Sequence, residues 1–190
     1  IAMPKGTEGI ALSASGDRLL AAENTRQDLL VIDTASDQIV ETIPLKGAVL
    51  SNPKTSRLIR LRVSPDGATL VSTNYASGVM HIHDAQNLAD HVLIPIAKGP
   101  QGIAFTADGT QALVSNHDCG LITRIDLGAA KALECVEAGK GIEALTLGSL
   151  MMLASGVVAK RPSSVRASAI FCSGVRFSEN LAMRRPAREM

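Results

Sequence analysis

Gly102-Ile103-Ala104-Phe105-Thr106-Ala107-Asp108-Gly109 decides the fold, because it recurs. Gly9-Ile10-Ala11-Leu12-Ser13-Ala14-Ser15-Gly16 is the same element in an earlier copy, and Arg62-Val63-Ser64-Pro65-Asp66-Gly67 stands between them. About eight residues after each turn glycine comes an Asn: Asn24, Asn74 and Asn116. Nine or ten residues further on, an Asp closes an apolar run: Asp33, Asp84 and Asp126. Gly141-Ile142-Glu143-Ala144-Leu145 opens a fourth copy. The turn glycines Gly16, Gly67 and Gly109 are spaced 51 and then 42 apart, the longer interval reflecting an insertion at 47–57. A fixed period of this length marks a repeat architecture in which each copy is one supersecondary unit.

Each copy reads as four short strands. In the first they are expected near 8–13, 18–23, 29–33 and 38–43, separated by Ala-Ser-Gly-Asp, Asn-Thr-Arg-Gln-Asp and Thr-Ala-Ser-Asp. Ser64-Pro65-Asp66-Gly67 suits a type I turn, with Pro at its second and Gly at its fourth position. The third strand, Leu29-Leu30-Val31-Ile32, is apolar without alternation, which implies burial on both faces of a sheet. Four strands per period of about 40 residues, each sheet packed between neighbours, is the propeller arrangement. The expected fold class is therefore all-β: a partial β-propeller of four-stranded antiparallel blades with an irregular C-terminal segment.

The repeat resembles the YVTN-type β-propeller family. The resemblance rests on Gly-Ile-Ala-x-Ser-Pro-Asp-Gly, on Val71-Ser72-Thr73-Asn74 and Leu113-Val114-Ser115-Asn116, and on Val31-Ile32-Asp33-Thr34. It covers about 1–148: blades near 8–43, 59–96 and 101–136, and the start of a fourth from 141. It implies seven-bladed propellers, mostly exported or surface-layer proteins, hence a periplasmic or extracellular site. Related propellers include adhesion proteins, haem d-type nitrite reductase, quinoprotein amine dehydrogenase subunits and lactonases. Three and a half blades do not close a ring. A piece of a larger propeller is expected, or copies that self-associate through open blade edges.

Composition narrows the classes further. Of 190 residues 46% are apolar, enough for a packed core, yet there is one Tyr, three Phe and no Trp, so that core must be aliphatic. Nineteen basic residues against eighteen acidic ones argue against a cationic nucleic-acid binder. The balance is uneven: 1–149 carry a net −4 and 150–190 a net +5. After Leu147 no Asp-Gly turn and no Ile-Asp pair recurs. Residues 149–190 are read as an atypical basic tail, an altered terminal blade, or an out-of-register blade four. No membrane-spanning helix is expected. The opening Ile1-Ala2-Met3 shows no basic and apolar leader, and a chain not starting with Met points to a cut or processed one.

Repetition sorts structural from functional residues. A scaffold residue is needed in every blade, a catalytic one only once. Asp33, Asp84 and Asp126, with Asn24, Asn74 and Asn116, are thus expected to accept local backbone N–H bonds. In a meander of four strands, the loops between second and third strands share one rim with the blade-to-blade connections. That rim collects Lys5, Lys46, Lys98, Arg26, Tyr75, His117 and Asp118, and loops on a rigid scaffold favour binding. Lys5, Arg26, Lys98, Tyr75, His117 and Asp118 are the candidate ligand-binding residues, and the lysines suit a carboxylate or phosphate ligand. His81 and His83, at i and i+2, share one side of the third strand. They read first as packed histidines and alternatively as metal or haem ligands. Cys119, Cys135 and Cys172 are odd in number, and no haem-attachment, nucleophile-elbow or metalloprotease motif is present. The expected function is a non-catalytic propeller scaffold without cofactor, binding a protein or small ligand on the rim. The alternative is a fragment of a redox propeller, similar to haem d-type nitrite reductase or to quinoprotein amine dehydrogenase, with haem as the alternative cofactor.

Overall fold

The computed structural model describes residues 1, 3–25, 27–45 and 58–145. Lys46, Arg26, the insertion at 47–57, Cys172 and the basic tail lie outside them. Twelve strands follow in chain order: β1 (Thr7–Leu12), β2 (Arg18–Glu23), β3 (Asp28–Asp33), β4 (Gln38–Pro44), β5 (Leu58–Val63), β6 (Thr69–Asn74), β7 (Val79–Asp84), β8 (Asn87–Pro95), β9 (Pro100–Phe105), β10 (Gln111–Asn116), β11 (Leu121–Asp126) and β12 (Lys131–Glu137). They form three four-stranded meanders, ordered β1-β2-β3-β4, β5-β6-β7-β8 and β9-β10-β11-β12. All neighbouring strands are antiparallel. The described residues thus form three antiparallel propeller blades, with no helix among them.

The first hairpin of each blade is set by a hydroxyl, a carboxylate and a glycine. Gly16, Gly67 and Gly109 donate their N–H to Ser13, Ser64 and Thr106 at 2.9–3.0 Å. Their φ values are +76°, +73° and +69°, a left-handed region that costs glycine nothing. Ser64 Oγ donates to Asp66 Oδ1 at 2.5 Å, and Thr106 Oγ1 to Asp108 Oδ1 at 2.6 Å. The first copy has Ser15 where the others have Asp, and Asp17 takes over, accepting from Ser13 Oγ at 2.8 Å. Hydroxyl donors hold these carboxyls below the ordinary range: chiefly Ser15 and then Ser13 at Asp17, Ser64 at Asp66 and Thr106 at Asp108.

Burial follows the order of strands. β3 is buried from Asp28 to Ile32, while β4 exposes all but Ile43. One apolar cluster joins the first two blades through Leu20, Leu29, Val31, Leu61 and Leu70. A second joins the second and third through Val71, Met80, Ile103, Val114 and Ile125. Aliphatic side chains and one methionine form both clusters, and the imidazole rings of His81 and His83 on β7 are buried as well. Flat blades meeting face to face need small interlocking groups, which is why so few aromatics suffice. The innermost strands β1, β5 and β9 lie side by side.

Candidate functional site

The β2–β3, β6–β7 and β10–β11 loops lie on one edge with the connections between blades. Hydrogen bonds tie them together: Asn24 N–H to Gly6 C=O at 3.1 Å, Ile96 N–H to Gly78 C=O at 2.8 Å, and His117 N–H to Gly99 C=O at 2.8 Å. Ala138 N–H repeats the Ile96 bond, donating to Gly120 C=O at 2.9 Å. The Asp-Gly turns occupy the opposite edge beside the β3–β4 turns, as Thr34 N–H to Asp17 C=O at 3.0 Å shows.

On the first rim the second and third blades meet through three of the candidate residues. Tyr75, after β6, donates its hydroxyl to Asp118 Oδ1, after β10. His117 Nδ1 lies 3.2 Å from the same hydroxyl and 3.1 Å from Asp118 Oδ1. With the Tyr75 hydroxyl proton directed at the carboxylate, His117 in its Nδ1–H form serves as a second donor to it. The Tyr75 bond is the main cause holding the Asp118 carboxyl low, opposed by partial burial; His117 and the nearby Lys98 add to it. Asp118 also abuts Gly99, where a Cβ would stand 2.8 Å from the Asp118 backbone N. The cluster is ordered yet accessible, His117 and Asp118 side chains keeping 34% and 47% exposure.

Lys98 is exposed beside this cluster, and Cys119 Sγ donates to its carbonyl at 3.5 Å. Lys5 occupies the matching turn of the first blade, before Gly6, and is not part of the Tyr75 cluster. The structure brings together Tyr75, His117, Asp118 and Lys98 and leaves Lys5 apart. Arg26 lies outside the described residues. The repeated acids behave as turn formers: Asp33 Oδ1 accepts from Ser36 N–H at 2.7 Å, Asp84 from Gln86 at 2.8 Å and Asp126 from Ala129 at 2.8 Å. The expectation for the asparagines needs correcting. Asn74 accepts from Ser77 N–H at 3.2 Å. Asn116 instead donates, its amide reaching Val114 C=O, Leu121 C=O and Thr123 Oγ1, because it is buried inside its hairpin. Asn24 Oδ1 is buried, with no hydrogen-bond partner among the described residues.

His81 and His83 are both buried on β7 and are joined by His91 of β8, which the sequence reading did not single out. The signal was available: antiparallel pairing sets His91 directly opposite His83. His83 Nδ1 donates to Leu88 C=O at 2.8 Å and its Nε2 accepts from Ser72 Oγ at 3.3 Å, so neither nitrogen points to a ligand. Among the described residues, no three His, Cys, Asp or Glu side chains are grouped to hold a metal. Cys119 and Cys135 are not joined in a disulfide. No helix among the described residues is long and apolar enough to cross a membrane.

No protein-family model matches the chain, and no curated protein matches it. Solved structures do. The chain is similar to Kuenenia stuttgartiensis hydrazine synthase at 21% identity and TM-score 0.63, covering 73% of this chain and 38% of that one. It is similar to the RRP9 WD40 repeats at 16% identity and TM-score 0.65, covering 77% and 43%. The β-propeller domain of Myceliophteria thermophila Cps50 (Swd1) gives 19% identity and TM-score 0.57, covering 74% and 44%. At such identities the likeness establishes the fold. The chain spans 38–44% of the length of these structures.

Proposed function

We propose that this protein is a non-catalytic propeller scaffold that binds a protein or small ligand through the rim carrying Tyr75, His117, Asp118 and Lys98. The observation that carries the reading is the cluster bridging two blades at Tyr75 and Asp118. Exposed polar side chains held rigidly by a packed fold are what a recognition surface requires, since little side-chain entropy remains to be lost on binding. A phenol, an imidazole, a carboxylate and an ammonium offer both signs of charge and an aromatic face to a partner. The scaffold works without a cofactor, and the β7 histidines serve packing. Through the resemblance of its repeat to the YVTN type, the protein belongs in the periplasm or on the cell surface.

A photo-crosslinking residue placed at Lys98, in the intact protein in its native cell, tests the reading. Crosslinks to a defined partner or ligand are expected there, and not from Asp108 on the opposite rim. Equal labelling from both rims contradicts it. So does purified protein carrying a haem or quinone absorbance band.

A further inference from the structure

The innermost strand of the second blade departs from the repeat. Counting back from the turn glycine, Arg62 stands where the other blades have Ala11 and Ala104. Arg60 stands where they have Gly9 and Gly102. Two residues apart on β5, the arginines share one side of the strand, their Cα atoms about 7 Å apart. Both line a groove of about 450 Å³ that runs along β1, β5 and β9. That is room for a small organic molecule.

Arg62 is oriented by its backbone neighbour: its Nε–H donates to the Ile103 carbonyl of β9 at 3.2 Å. Among the described residues, neither arginine has an ion-pair partner. Ile10 and Leu12 of β1 form an apolar wall, exposed at 62% and 55%. The far wall is the segment Glu143–Leu145, which can lie against β9 because Gly102 has no side chain. A Cβ there would stand 3.0 Å from the Glu143 carbonyl oxygen and from Ala144 Cα. The residues lining the groove include two arginines and one glutamate, Glu143, a formal net charge of +1.

We propose that this groove binds an organic monocarboxylate with an apolar body, its carboxylate held by Arg60 and Arg62. The planar guanidinium fork matches a carboxylate in a bidentate pair, which an ammonium cannot do. The net charge of the groove suits one negative charge, and Glu143 disfavours a second. The exposed isoleucine and leucine give the ligand's hydrocarbon part a surface to cover. This site is separate from the rim on which the proposed function rests.

Calorimetric titration of the intact protein with 3-phenylpropionate tests the proposal, with 3-phenylpropanol as its neutral counterpart and inorganic phosphate as an oxyanion without an apolar body. Saturable binding of the carboxylate is expected, at least tenfold tighter than the alcohol or phosphate. Arg60→Ala and Arg62→Ala should each weaken it at least tenfold in protein that still unfolds cooperatively. Arg62→Lys should recover only part of the loss. Tyr75→Phe should leave it unchanged, separating this site from the rim. Absence of carboxylate binding overturns the proposal, as does equal affinity for phosphate, or full affinity in both alanine variants.

Discussion

The Tyr75 hydroxyl of one blade donates to the Asp118 carboxylate of the next, across 43 residues of sequence. The bond locks the β6–β7 loop to the β10–β11 loop on the rim. Tyr75→Phe removes it while keeping the ring. A hydrogen bond to a charged group is worth about 1.5–3 kcal/mol when buried; with Asp118 half exposed, a loss of about 1 kcal/mol is expected in urea unfolding. In the same variant the Asp118 carboxyl should titrate higher, read by carboxyl-carbon NMR against pH. An unshifted titration would mean the bond does not form in solution.

Gln27 occupies a turn position held by glycine in both later blades. Its φ is +63°, against +66° at Gly78 and +69° at Gly120. A side chain in the left-handed region costs about 1–2 kcal/mol, and glycine's extra freedom in the unfolded chain offsets about half of that. Gln27→Gly should therefore stabilise by about 0.5 kcal/mol. The reverse change, Gly120→Ala, places a Cβ 2.7 Å from the Gly139 carbonyl carbon and should cost about 2 kcal/mol or more. Denaturant midpoints of the two variants moving in the same direction would contradict this account.

His81 and His83 make stability sensitive to mild acid. Burial, then the neighbouring histidines, push His81 down to about 3 from 6.5. Burial likewise brings His83 to about 4, against the opposing pull of the Leu88 carbonyl. A lowered folded pKa means the unfolded chain takes up the proton first. Their contribution is intact above about 6.5 and falls as pH drops toward 4, by up to about 1.4 kcal/mol per pH unit for each proton. The turn aspartates act elsewhere: Asp17, Asp33, Asp66 and Asp108 are depressed, so their contribution is lost only below about 4. His81→Leu removes a buried Nδ1 that has no partner among the described residues and should flatten the pH 6.5–4.5 slope. An unchanged slope between those pH values assigns the acid response to other groups.

Met80 is fully buried between the second and third blades. Met80→Ala should cost about 2–4 kcal/mol through lost transfer energy and a residual cavity. The exposed Arg124–Glu134 pair at 2.9 Å offers a control. Arg124→Ala should cost less than about 1 kcal/mol, because solvent screens such pairs. Comparable losses in the two variants would argue that the blades are not packed through Met80.

Most of the architecture was readable from the repeat. The strand set expected near 8–13, 18–23, 29–33 and 38–43 lies at Thr7–Leu12, Arg18–Glu23, Asp28–Asp33 and Gln38–Pro44. Turn chemistry is local, and the hydroxyl, carboxylate and glycine of each hairpin lie within a few residues of one another. Asn116 was harder, because whether a side-chain amide donates or accepts depends on which carbonyls the folded hairpin turns toward it. His91 was missed because its relation to His83 is one of strand register, not of spacing along the chain. Arg60 and Arg62 stood inside a recognised repeat element, and only their place on the inner strand gave them a common groove with β1 and β9.

The periodic Gly, Asn and Asp, with unbroken apolar third strands, were enough to specify four-stranded blades, since the interactions they encode act over a few residues or within one sheet. The choice of which side chains meet belonged to packing between blades. Tyr75 and Asp118, or Arg62 and Ile103, are brought together only when two blades dock face to face. Such contacts join residues some forty positions apart, and no local pattern records the rotation of one sheet against the next.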